Sequence, residues 1–138
     1  MPAKAQFRIS TERKDMRLDD ICNMLWRSYW AENRSREAIE KSIRNSLCIG
    51  IFDGEGQIAF TRIITDYASF AYICDVIVHE DYRGHGLGKE LMKSTLSHPE
   101  LTTIEVWSLA TKDAHGLYEQ FGFKPTEFPQ NRMEIRSR

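Results

Sequence analysis

From Val78 to Leu91 the chain reads VHEDYRGHGLGKEL, with Gly84, Gly86 and Gly88 alternating with His85 and Leu87 between Arg83 and Lys89. Glycine lets backbone approach a bound group with no Cβ in the way. Where such a loop opens a helix, the first N–H groups lack intrahelical partners and carry partial positive charge, which suits an anion. Arg83, His85 and Lys89 would strengthen that field. The chemistry suggested is local capture of a phosphate. The same spacing also fits a turn that only starts a helix.

Two familiar phosphate loops fail on spacing. A dinucleotide fingerprint, G-x-G-x-x-G, needs glycine at 89 or 91, where the chain has Lys89 and Leu91. A nucleotide-triphosphate loop ending at Gly88-Lys89 needs glycine at 83 and a hydroxyl at 90, where Arg83 and Glu90 stand.

The elements around the loop follow from periodicity. Leu18, Ile21, Cys22, Leu25, Trp26 and Tyr29 make the apolar stripe of an amphipathic helix, with Trp26 expected in the core. Ser35 is placed to cap a second helix that carries Ile39 and Ile43. LCIGIFDGEGQIAFTRIIT reads as an antiparallel hairpin, and SFAYICDVIV as a third strand of a meander. From Leu87 the period becomes helical until Pro99, so the loop joins a buried strand to a helix. TTIEVWSL is then a strand, TKDAHGLYEQFGF a short helix ended by Gly122, and RMEIR a terminal strand. The fold class is α/β (α+β), one domain over residues 1–138 with a mixed, mostly antiparallel twisted sheet and about four helices.

At 138 residues, 41% of them hydrophobic and 28% charged, the chain can bury one real core, so a packed fold with one site is expected. Nineteen basic against twenty acidic residues leave a formal charge of −1, so no global field gathers nucleic acid or anionic lipid. The absence of a long apolar run leads us to expect no membrane span and a cytoplasmic protein. Cys22, Cys48 and Cys74 lack paired spacing, which argues against zinc or disulfides and for core thiols. No metal is expected.

The segment DVIVHEDYRGHGLGKELM resembles the acyl-CoA-binding motif of the GNAT superfamily of N-acetyltransferases, [R/Q]-x-x-G-x-[G/A], here Arg83, Gly86 and Gly88. LYEQFGF resembles that family's second signature, a helix ending in Tyr-x-x-x-Gly-Phe. The resemblance is specific over residues 72–125 and rests on element order before that.

It implies an N-acetyltransferase that moves an acetyl group from acetyl-CoA to a primary amine. Backbone of Val76, Ile77 and Val78 would pair with the pantetheine arm. Amides from Arg83 through Gly84, His85, Gly86, Leu87, Gly88 and Lys89 would wrap the pyrophosphate. Tyr118 would protonate the leaving thiolate, although its sequence position also fits a core aromatic. The reaction needs these parts on chemical grounds too, since charge builds first on the carbonyl oxygen and then on sulfur.

A base is less defined: Asp75 ranks first, with His79, Glu80 and Tyr72 as alternatives. Thr111 stands where the family often places a cofactor-contacting asparagine. His115 is expected to be exposed. The resemblance places the acceptor site at Tyr29, Trp30, Arg34 and Arg62, with Asp66 nearby, and a small-molecule amine is favoured over a protein. A homodimer stays open. The rival reading is a catalytically silent CoA-binding sensor or partner module of the same fold.

Overall fold

The computed structural model of the protein describes residues 6–137. Along them run β1 (Arg8–Ser10), α1 (Leu18–Leu25), α2 (Arg36–Arg44), β2 (Leu47–Asp53) and β3 (Gly56–Thr65). There follow β4 (Phe70–Val78), α3 (Leu87–Leu96), β5 (Val106–Leu109) and α4 (His115–Glu119). The strands form one sheet in chain order, antiparallel from β1 to β4 and parallel between β4 and β5. Short turns permit the antiparallel neighbours, whereas the parallel pair needs the α3 crossover.

Each sheet face has its own core. Ile21 and Leu25 of α1 and Ile39 of α2 pack with Phe60 and Ile77 on one face. Leu87, Leu91 and Met92 of α3 pack with Ile49, Ile63 and Ile73 on the other. Each such buried side chain contributes roughly 1.5–3 kcal/mol. The α2 start is the one expected: Ser35 Oγ accepts from the Ala38 N–H at 3.1 Å.

One irregularity decides where the polar side chains go. Ile63 of β3 faces Ile73 of β4, but the next residue back, Arg62, faces Asp75, so Cys74 is an extra residue on β4. A bulge of this kind reverses the face to which the following side chains point. Ala71 and Ile73 lie in the α3-side core, as do Val76 and Val78 after the bulge, while Ile77 has moved to the α1/α2 side. Asp75 moves with it, away from an apolar core and toward the first two helices.

Several boundaries differ from expectation. The first helix ends at Leu25, four residues short of Tyr29. Ser28 explains this, because its hydroxyl donates to the Leu25 carbonyl at 2.6 Å and accepts from the Ala31 N–H, competing with helical bonding. Trp26 is therefore not core: it is 38% exposed and its indole donates to the Arg34 carbonyl at 2.7 Å. The strand expected from Thr102 begins at Val106, after a short turn that Pro99 opens. RMEIR alternates like a strand but pairs with no strand among the described residues; Met133 and Ile135 are exposed, and Arg132 Nη2 donates to Ser108 Oγ of β5 at 3.4 Å.

Candidate active site

β4 and β5 pair only from Phe70–Val106 to Ile73–Leu109. Beyond Ile73, β4 continues to Val78 while β5 has ended, so among the described residues the β5-side edge of Cys74–Val78 has no strand beside it. This is where backbone N–H and C=O groups are available to an extended ligand. The bulge at Cys74 adds to the separation, since extra twist accompanies a bulge.

A cleft of about 640 Å³ opens at that gap. Tyr29, Trp30, Arg34 and Arg62 all line it, together with Asp75, Val76, Thr111 and Tyr118. Residues from α1's trailing loop, β3, β4, the β5–α4 loop and α4 thus meet in one cavity. Ile77 lies in the α1/α2-side core and Val78 packs against the α3-side core. Glu80 and His79 lie elsewhere: Glu80 pairs with Arg27, and His79 Nδ1 accepts from the Asp81 N–H at 3.1 Å. Asp66 is also outside the cleft, in the β3–β4 turn, where the Ser69 hydroxyl and then the backbone N–H groups of Ser69, Ala68 and Phe70 donate to its carboxyl and hold it well below the usual range. His115 is exposed.

Asp75 organises one wall. Its Oδ2 accepts from Arg34 Nη1 at 3.0 Å and Arg62 Nε at 3.1 Å, and its Oδ1 accepts from Trp30 Nε1 at 2.9 Å. The carboxylate is buried and the guanidiniums are partly open to the cleft. Arg62 also reaches Ser46 Oγ at 3.3 Å. With both oxygens engaged by donors, Asp75 fixes the two arginines and the indole in place.

Tyr118 comes from the opposite side. α4 is pinned at its start by the Ala114 N–H donating to Thr111 Oγ1 at 3.0 Å, and at its end by Gly122 with φ of 94°. The Tyr118 carbonyl accepts from the Phe121 and Phe123 N–H groups, and its ring meets Phe123 edge-on at 6.1 Å. The tyrosine is 9% exposed. Burial, and secondarily the negative charge of Asp113, raise its pKa above the ordinary value. Its phenol therefore stays protonated at neutral pH.

The glycine loop stands at the α3 end of the same strand. Gly84 and Gly86 have φ of 86° and 75°, left-handed values that glycine adopts without a Cβ penalty. Gly86 caps α3 with no side-chain bond of its own, leaving the first-turn amides to an external acceptor. Arg83 Nε ties the loop back to the Val78 carbonyl at 3.3 Å, and Arg83 and Lys89 are exposed. Leu87 anchors the helix in the core, and His85 packs edge-on against Phe7 at 6.4 Å. The backbone curvature, the open helix start and the flanking cations fit a pyrophosphate, and the adjoining free strand edge fits an extended arm. Among the described residues no group of three or more His, Cys, Asp or Glu side chains is arranged to hold a metal.

The acetyltransferase (GNAT) domain model matches residues 44–125, which include β2 to α4 and the whole glycine loop. The chain belongs to the GNAT acetyltransferase family. A candidate GNAT acetyltransferase from Xanthomonas campestris pv. campestris has 40% identity and a TM-score of 0.91, over 99% of this chain and 94% of that one. A candidate acetyltransferase of unknown function from methicillin-resistant Staphylococcus aureus has 27% identity and a TM-score of 0.78, over 94% and 98%. Among curated sequences, a candidate acetyltransferase from Gibberella zeae is 24% identical over 113 residues, and an uncharacterized N-acetyltransferase from Porphyra purpurea 35% over 69. Those matches cover 65% and 48% of this GNAT chain, and only 62% and 38% of the respective relatives.

Ala110 and Ala114 aside, four cleft residues of this GNAT chain escaped sequence reasoning. Cys74 lines the cleft and is half-buried, unlike the core thiols Cys22 and Cys48, because it sits on the bulge. Lys112 and Asp113 belong to the polar run after β5, which could have been read as a site loop; Lys112 Nζ lies 5.2 Å over the Tyr29 ring. Arg136 reaches the cleft from the unpaired tail, and no local pattern signals that.

Proposed function

We propose that this chain transfers the acetyl group of acetyl-CoA to a small primary amine by direct attack on the thioester. The observation that carries the reading is the end of β4–β5 pairing at Ile73, beside a cleft that holds Tyr118 on one wall and the Asp75 cluster on the other. The strand edge at Val76–Val78 receives the pantetheine arm, and the loop from Arg83 to Lys89 receives the pyrophosphate. The amine nitrogen forms a bond to the carbonyl carbon as the carbon–sulfur bond breaks. The thiolate takes the phenolic proton of Tyr118, and the proton shed by nitrogen passes through water and restores the phenol.

Asp75 has a positioning role in this scheme. Its oxygens already accept three bonds, so it orients Trp30, Arg34 and Arg62 and leaves proton removal to water. Bringing the substrates together supplies much of the rate. A cleft of about 640 Å³ is in the range that small molecules occupy.

Two measurements test the reading. Acetyl-CoA should raise the melting temperature, because a ligand bound only by the native state stabilises it. A screen of amines should release free CoA thiol with at least one acceptor. Stabilisation without turnover across the screen would favour a silent CoA-binding module instead.

A further inference from the structure

Resting on that reading, we propose that the acceptor amine carries a carboxylate, seated on the free guanidinium edges of Arg34 and Arg62. The two arginines share one buried carboxylate, so Arg34, Arg62 and Asp75 together carry one net positive charge. The remaining charges of the wall cancel: Lys112 stands next to Asp113, and Arg136 pairs with Glu134 at 3.0 Å. One uncompensated charge in a partly desolvated wall calls for one anionic charge, a monoanion in preference to a dianion.

The donors match as well. A guanidinium offers five N–H groups. Arg34 spends Nη1 on Asp75, and Arg62 spends Nε on Asp75 and Nη1 on Ser46, so each keeps donors for another acceptor. Arg34 is held at both ends, its carbonyl by the Trp26 indole and its guanidinium by Asp75, and so loses little freedom on binding. Its side chain is 26% exposed and that of Arg62 12%, open enough for contact and dry enough for the contact to count. Tyr29 and Trp30, edge-on at 5.2 Å, give the apolar part of such an acceptor an aromatic wall beside the charge.

The test uses matched reaction products, N-acetyl amino acids and the corresponding amides, titrated by calorimetry into the full chain with and without CoA. The acids should bind at least about ten-fold tighter than their amides, the worth of one charge-assisted hydrogen bond. Arg34→Gln should shrink that preference to less than about two-fold, whereas Arg34→Lys, which keeps the charge but loses the fork, should keep part of it. Equal binding of acids and amides, or binding of neither, overturns the proposal. So does tighter binding of N-acetyl-O-phosphoethanolamine than of every acid, which would assign the arginines to phosphate. Thiol release with the free amines is read in parallel. Acids that bind while no amine reacts would sink acetyl transfer and keep the carboxylate site; amines that react without regard to a carboxylate would do the reverse.

Discussion

Arg62 and Asp75 face each other in register across β3 and β4 and join at 3.1 Å, Nε to Oδ2, on the sheet face that carries α1 and α2. The pair exists because Cys74 is bulged. Had β4 kept its alternation from Ile73, Asp75 would point into the core packed by Leu91 and Met92. A buried carboxylate there would have no partner and would cost several kcal/mol. The bulge therefore joins the fold and the site: the residue that interrupts pairing also delivers the carboxylate on which Trp30, Arg34 and Arg62 converge.

Asp75→Asn should test how much of the fold hangs on this cluster. Removing the charge leaves two guanidiniums close together without compensation, a loss of about 3 kcal/mol for a buried pair. The urea midpoint should fall by roughly 1–2 M, measured by circular dichroism. A midpoint that does not move would mean that the arginines reorient to water and that Asp75 holds nothing in place.

Tyr118→Phe should separate proton donation from binding. Turnover should fall by about 100-fold while the thermal shift with acetyl-CoA stays, since general acid catalysis contributes 10²–10⁴-fold. Burial raises the phenol's pKa, so the donor stays protonated through neutral pH. Turnover of the native enzyme should accordingly decline on the alkaline side only above the ordinary tyrosine value of about 10. A decline near neutrality that persists in the Phe variant would assign that titration to another group.

The glycine loop, the meander, the Ser35 cap and the Gly122 stop were legible because each is a local conformational requirement written in residue type. Residues 29, 30, 34, 62, 75, 76, 111 and 118 were each named from the sequence, and one cleft contains them all. What escaped was set by tertiary pairing. Register alone reveals the Cys74 bulge, and no composition around CDV distinguishes a bulged cysteine from a regular one. RMEIR shows the converse: it has the alternation of a strand, but a strand needs a partner, and Pro125 and Pro129 precede it in a segment that does not join the sheet.

Gly86→Ala should weaken acetyl-CoA binding as well as destabilise the protein. At φ of 75° a Cβ costs about 1–2 kcal/mol, and relief requires turning the α3 start away from its present direction. Calorimetry should find affinity reduced at least about ten-fold, with the free protein's melting temperature lowered by a few degrees. Unchanged affinity would place the pyrophosphate away from this loop.

The cysteines report on the cleft without any acceptor in hand. Thiolate is the reactive form, and burial pushes all three thiols up, Cys48 to about 11, so none should react quickly at neutral pH. They differ in access: Cys22 and Cys48 are buried in the core, whereas Cys74 faces the cleft at the bulge. A disulfide reagent at pH 8 should therefore label the folded chain at Cys74 first, with Cys22 and Cys48 following only on unfolding. The rate at Cys74 should rise with pH beyond 8, because its raised pKa leaves most of the thiol protonated there. Saturating acetyl-CoA should slow that rate by about ten-fold or more, since a ligand lying along the open edge of β4 passes over this residue. Mass spectrometry of the labelled peptide identifies the site. Equal labelling with and without acetyl-CoA would mean that the thioester arm does not enter the gap between β4 and β5, whatever the loop at Gly86 binds.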